Sequence, residues 1–301
     1  FLSEQPYKGL GKLGAQLNLN TDTIGKIFIP IPSFSEQQKI AEYLDHHCAK
    51  LDKVIALKQQ QIKNLEALRQ STIYHAVTKG LDDSVPLIDS GIEWVGNIPK
   101  SWRVNRIKDF GKVIGGFAFK SSNFCQKGTI VLKISNVSHL SLKWDDTSCL
   151  PQSYVQAYPD YVAPPHSLIF ALTRPIIKAG IKTVKLSDNE SFLINQRVGF
   201  LKPSKKINSN FLIYVTQSSS FIAHFTNKIT LTIQPNISTE QIESIKVCCP
   251  PIEEQQDIAS FLDQETQRLN TLKENLNQQI TTLQAYKKSL IYEMVTGKKR
   301  V

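Results

Sequence analysis

The longest hydrophobic pattern in the chain is a heptad stripe. Leu262, Leu269, Leu276, Leu283 and Leu290 recur every seven residues, with Leu272, Ile280 and Met294 on or near the same face. That spacing, in a stretch with no glycine or proline before its last residues, predicts one long helix with a coiled-coil seam. Residues 34–80 repeat residues 252–298 without a gap, 218 positions earlier. Glu36, Gln37, Gln38, Leu44 and Asp45 match Glu254, Gln255, Gln256, Leu262 and Asp263. Leu51, Ile62, Leu65, Tyr74 and Thr78 match Leu269, Ile280, Leu283, Tyr292 and Thr296. The first stripe is weaker, because Lys58 and Thr72 stand where the second copy has Leu276 and Leu290. A helix of this length would reach roughly 70 Å, more than a single core requires. An antiparallel pair acting as a spacer is therefore expected, in preference to two surface helices on a globular body.

Between the copies the period changes. Short β-like runs at residues 129–134, 167–172, 181–186 and 198–201 are punctuated by Gly, Pro, Asn and Asp, and one helical stretch is expected over 210–225. The prediction is an α+β fold: one mixed α/β domain plus two long helices forming an antiparallel coiled coil. Its parts are expected at residues 34–80 and 251–301 (the helices), 81–101 (a linker and the lead-in to a domain) and 102–250 (the domain). Ser35, with Gln38 three residues on, suits a capping box for the first helix, and Gly80 suits its end. Residues 24–32 read as a short strand. Ile24, Ile27, Ile29 and Pro32 match Ile242, Ile245, Val247 and Pro250, so residues 1–33 are expected to close an earlier domain. The chain would then be a fragment of something longer or a natural half-length form.

Charge sharpens this division. The net charge of +10 lies in the middle: residues 90–250 hold nineteen Lys and Arg against nine Asp and Glu, while the flanks balance. A basic body between neutral helices is the footprint of a polyanion-binding module. Lys178, Lys182, Lys185, Lys202, Lys205 and Lys206 suit phosphates. Arg174, Asn195, Gln196 and Arg197 suit base edges, as do Thr230, Thr232 and Gln234 on an alternating stretch. Asn195 and Gln196 could instead satisfy backbone groups in a core. The recurring polar residues Gln37, Gln38, Tyr74, Gln255, Gln256 and Tyr292 are candidates for docking a partner. No catalytic group or metal set is expected: His46 and His47 point about 100° apart on a helix, and Asp145-Asp146 reads as a solvated turn. Five cysteines and no apolar run long enough to span a membrane fit a reduced, cytoplasmic protein.

GIEWVGNIPKSW at 91–102 and TIQPNISTEQIESIKVCCPPIEEQQDIASFLD at 232–263, with a degenerate second copy of the latter at 17–45, resemble the specificity subunits of Type I restriction–modification systems. The resemblance covers the whole chain. It implies a non-catalytic subunit whose recognition domain reads one half of a split duplex-DNA target, with the helices setting the distance between halves. It also implies a modification subunit that binds S-adenosylmethionine and methylates adenine, a motor–nuclease subunit for restriction, and no cofactor in this chain. The first recognition domain of the full pattern is absent, so two chains pairing through their helices as a homodimer is a further expectation. A coiled-coil adaptor whose middle domain binds protein or RNA, and a module from a single-chain methylase–nuclease, are the alternative readings.

Overall fold

The computed structural model describes residues 29, 31–230 and 233–300. The readings over residues 1–28, and Thr232, lie outside that range. The chain divides into two compact units. One takes residues 67–267; the other takes residues up to 66 together with those from 268 onward. Both long helices, α1 (Phe34–Lys79) and α6 (Ile252–Val295), contribute to each unit. No described helix is long and apolar enough to cross a membrane.

In the helical unit the pairing is antiparallel. Lys287 donates to Asp52 (2.6 Å), Lys58 to Gln279 (2.5 Å) and Lys273 to Glu66 (2.6 Å), so one index falls as the other rises. The pairing folds the repeat about Gln60 and Gln278, equivalent positions in the two copies. Leu269, Ile280 and Leu290 are buried, as are Ile55 and Met294. Leu44, Leu51, Ile62, Leu65, Leu276 and Leu283 are half-buried. Leu272 departs from the expected stripe: it is 40% exposed.

The helix starts repeat as structure. Gln37 donates its side-chain amide to Pro32 O (2.8 Å), and Gln255 does the same to Pro250 O (2.9 Å). Thr78 and Thr296 both return a hydroxyl to the carbonyl of Tyr74 or Tyr292, four residues back. The expected Ser35 cap is corrected. α1 begins at Phe34, and Ser33 Oγ accepts from Glu36 N (3.4 Å). Gly80 does end the helix, at φ +84°.

In the other unit the end of α1 is followed by a lead-in hairpin, β1 (Leu87–Asp89) and β2 (Asn97–Pro99), then by β3 (Arg103–Arg106) and β4 (Val113–Gly115). After β5 (Thr129–Leu132) and β6 (Ser148–Leu150) come α2 (Ser153–Ala157), β7 (Val162–Ala163) and β8 (Leu168–Ala171). A small hairpin, β9 (Ile176–Ile177) with β10 (Gly180–Ile181), precedes β11 (Thr183–Lys185), β12 (Phe192–Ile194) and β13 (Val198–Leu201). α3 (Ser209–Val215), α4 (Ser219–Lys228), α5 (Thr239–Glu243) and β14 (Lys246–Cys249) lead into α6.

Two four-stranded sheets result, β11-β8-β13-β4, antiparallel throughout, and β6-β5-β12-β7, in which β5 and β12 run parallel. β3 pairs with β14, so the first and last strands of the body close on each other beside α6. β8 is buried on both faces, and its successive side chains alternate between two cores. Leu168 and Phe170 enter one core, shared with the end of α1 (Ile73, Ala76, Val77), the start of α6 (Ile258, Ala259, Leu262) and α3 and α4. Ile169 and Ala171 enter a second, with Leu132, Phe192 and Ile194 of the other sheet. Leu262, expected in the helix seam, therefore belongs to the core of this unit.

The single helix expected over 210–225 is two. The chain breaks at residues 216–218, and Ser218 caps α4 by accepting from Phe221 N (3.3 Å). A serine hydroxyl competing for backbone donors favours a new start over continuation. Polar bonds tie the body to the helix ends. Trp102 Nε1 donates to Glu254 (3.0 Å), Tyr214 to Asp263 (2.6 Å) and Arg69 to Gln217 (2.5 Å). Burial, then the Asp263 acceptor, hold the Tyr214 phenol well above its ordinary value.

Candidate nucleic-acid interface

The register of β8 against its neighbours gives the sheet β11-β8-β13-β4 two ends. Ala171 faces Val198 at one, and Leu168 faces Leu201 and Lys185 at the other. Three loops meet at the first end. Leu172 N donates to Arg197 O (2.8 Å), Arg174 N to Pro235 O (2.7 Å), and Ile237 N to Leu172 O (2.9 Å). Thr173 and Thr230 each form an isolated bridge with Asn236. The loops at 172–175 and 195–197 and residues 230 and 235–237 are thereby stitched through their backbones. This leaves the side chains of Arg174, Gln196 and Arg197 exposed.

Two backbone features hold this arrangement. Arg174 has φ +46°, a left-handed conformation uncommon for a residue with a Cβ. Its amide bond to Pro235 keeps it there. Gly116 backs directly onto the 195 turn, and a Cβ on it would lie 2.2 Å from Asn195 O. Only glycine permits that approach. Gly116 is thus a packing device beneath the loop. Asn195 is partly a turn former, since its Oδ1 accepts from Gln196 N (2.7 Å).

The first end is also crowded with positive charge. Burial, then the charges of Arg174 and Lys143, pull the Lys182 ammonium below its ordinary value. Three cations within electrostatic reach, one of them partly desolvated, form a site suited to an anion. Lys178 stands exposed at the tip of the β9–β10 hairpin.

The profile of the Methylase_S family, the Type I restriction modification DNA specificity domain, matches residues 2–67 and 99–282. The chain belongs to this family. Among relatives of the specificity family, it is similar to the Type I restriction enzyme MjaVIII specificity subunit of Methanocaldococcus jannaschii. That match is 34% identical over 277 residues, 91% of this chain and 63% of the relative. It is also similar to the Type I restriction enzyme EcoAI specificity subunit of Escherichia coli, at 28% over 177 residues, 58% of this chain and 30% of the relative. The chain therefore spans less than two-thirds of the length of these relatives. Its fold is similar to a chain from a structure of complex assembly and conformational transition in the type I R-M system. The TM-score is 0.73 at 17% identity, covering 95% of this chain and 65% of that one. The HsdS subunit from Thermoanaerobacter tengcongensis gives a TM-score of 0.57 at 18% identity, over 96% and 65% of the two chains.

Within this specificity-family fold, the sequence candidates separate by place. Arg174, Asn195, Gln196, Arg197, Thr230 and Gln234 gather at the first end, with Lys178 and Lys182. Lys185, Lys202, Lys205 and Lys206 belong to the second end, about a strand's length or 10 Å away. There Lys206 O accepts from Gln255, next to the start of α6. Lys143 was not singled out by sequence. It stands beside Asp145 and Asp146 in a loop that Asn136 organises, donating its amide to Lys143 O (2.9 Å) and Asp146 O (3.0 Å).

The docking set is corrected in part. Gln255 is 1% exposed, and its side chain accepts from Asn208 N (2.8 Å) while donating to Pro250 O. It joins the body to α6 and presents nothing to a partner. Tyr74 is half-buried and donates its hydroxyl to Val95 O (3.2 Å). Tyr292 is half-buried under Lys298, whose ammonium lies 4.6 Å from the ring centroid. Gln37, Gln38 and Gln256 are exposed.

Proposed function

We propose that this chain is a non-catalytic DNA-reading subunit of a Type I restriction–modification complex. The observation that carries the reading is the joining of the 172–175 and 195–197 loops with residues 230 and 235–237, which leaves Arg174, Gln196 and Arg197 exposed at the sheet end that holds Lys182, itself within electrostatic reach of Arg174 and Lys143. Planar hydrogen-bonding groups ringed by cations are what base edges and phosphates require. In this reading residues 102–250 form one recognition domain. Residues 34–80 and 251–301 are the spacer helices, and 81–101 the lead-in.

The domain would read one half of a bipartite duplex target. Exposed polar groups on the helices, Gln38 and Gln256 among them, would dock the modification subunit. That subunit would bind S-adenosylmethionine and methylate adenine, and a motor–nuclease subunit would join for restriction. The antiparallel pairing about Gln60 and Gln278 supports a symmetric arrangement of recognition domains. Two chains paired through their helices would then read a split palindrome.

Co-expression with the cognate modification subunit, followed by sizing and methylation mapping of host DNA, tests the proposal. A stable complex that methylates adenine in a split motif is the expected result. No complex and no methylation would overturn it in favour of a coiled-coil adaptor.

A further inference from the structure

Between β8 and β11 the chain makes a detour out of the sheet. Ile176–Ile177 and Gly180–Ile181 pair antiparallel around a two-residue turn, Lys178-Ala179. Lys182 closes the base, its amide donating to Pro175 O (2.7 Å) and its carbonyl accepting from Ala171 N (3.0 Å). This hairpin is firmly rooted. Ile181 is fully buried in the larger core, and Ile176 packs against it. His139 Nδ1 donates to Ile181 O (2.8 Å). The His139 ring lies so close to Gly180 (φ +134°) that a Cβ there would come within 2.8 Å of it.

The tip is the opposite. Ile177 is 40% exposed, and Lys178 is exposed beside it. A lone surface isoleucine is ordinary, but this one has a particular setting. Residues 172–184 contain no acidic residue, while Arg174, Lys178 and Lys182 fall within them and Lys143 lies within electrostatic reach of Lys182. Asp146, three positions after Lys143, is bound to Lys133 (2.6 Å). A rigid ribbon with an apolar tip among cations matches one feature of nucleic acid. The major groove, about 12 Å wide, admits a two-stranded ribbon and displays the thymine methyl between phosphate walls, whereas the minor groove, about 6 Å wide, displays no methyl.

We propose that the β9–β10 hairpin enters the major groove of duplex DNA, with Ile177 against a thymine methyl and Lys178 and Lys182 toward the flanking backbone. The inference rests on the DNA-reading function proposed above. It adds the element, the groove and the chemical feature read.

The test uses the full chain with its modification subunit to select a preferred duplex from a randomised pool. Each thymine in that duplex is then replaced singly by deoxyuridine, which removes only the methyl group. At one position the replacement is expected to weaken wild-type binding about fourfold, the worth of one buried carbon. Ile177→Ala should bind the thymine duplex more weakly by a similar factor and show no sensitivity at that position. Wild-type binding indifferent to every replacement would overturn the proposal, as would Ile177→Ala retaining the full sensitivity. Failure to select any duplex would instead remove the DNA-reading function itself.

Discussion

Gln255 and Gln37 are the same residue in two copies of one repeat, yet they do different work. Both donate to the carbonyl five residues back. Gln255 alone is buried and also accepts from Asn208 N, so Gln255→Ala leaves the half-buried Asn208 N–H without its partner. A loss of about 1–3 kcal/mol is expected, read as a fall in the urea midpoint. Gln37→Ala, on an exposed side chain, should stay within about 0.5 kcal/mol.

His224 adds a pH dependence. Burial, then Lys228 and Lys246, lower its pKa below 6.5, and its Nδ1 is buried without a hydrogen-bond partner among the described residues. The unfolded chain takes up that proton first as pH falls. Stability present above about 6.5 is therefore lost as pH drops through that value toward the lowered one. The urea midpoint should fall between about pH 7.5 and about pH 5, and less so in His224→Phe. Sequence could mark Gln255 as important because it recurs. It could not assign the role, since burial depends on Asn208, 47 positions away in the chain.

Among the elements, the long helices were the most legible. Periodicity and the repeat gave their existence and approximate ends, and the cross-helix pairs at Asp52, Lys58 and Glu66 bear out the antiparallel expectation. What holds the pair together is apolar. Leu290→Ala, at a buried position, should cost about 2–5 kcal/mol. Lys273→Ala, which removes an exposed ion pair with Glu66, should cost less than about 1 kcal/mol. Urea melts of the two variants at low and high salt check both figures, with only the difference due to Lys273 shrinking as salt rises. The break between α3 and α4 was less legible. Apolar spacing continues from Phe211 to Phe225, and only the Ser218 hydroxyl bond to Phe221 N marks the new start. The runs expected at 129–134, 167–172 and 198–201 match β5, β8 and β13, while the one expected at 181–186 is divided at Lys182 between β10 and β11. β12 was missed because three apolar residues, Phe192–Ile194, are too short to show a period.

At the scale of the whole molecule, the basic excess was visible as a segment, and its division was not. Register sets Lys178 and Lys182 at one end of the main sheet and Lys202, Lys205 and Lys206 at the other. If the first end meets DNA, Lys178→Ala with Lys182→Ala should reduce the slope of log affinity against log salt by about 2. The triple replacement of Lys202, Lys205 and Lys206 should leave that slope nearly unchanged. Fluorescence anisotropy with duplex DNA across a salt series measures both. Lys143 should behave as Lys182 does, although in sequence its acidic neighbours mask it.

The larger core includes Ile73, Ala76 and Val77 from α1 and Ile258, Ala259 and Leu262 from α6, although the sequence places them in the repeated helices. A chimera that grafted residues 81–250 onto another scaffold would expose that core and forfeit the Trp102–Glu254 and Tyr214–Asp263 bonds. The portable module runs from mid-helix to mid-helix, near residues 67–267. Its seams fall inside the most regular stretches of the chain, where a joint can be hidden in an unbroken turn of helix.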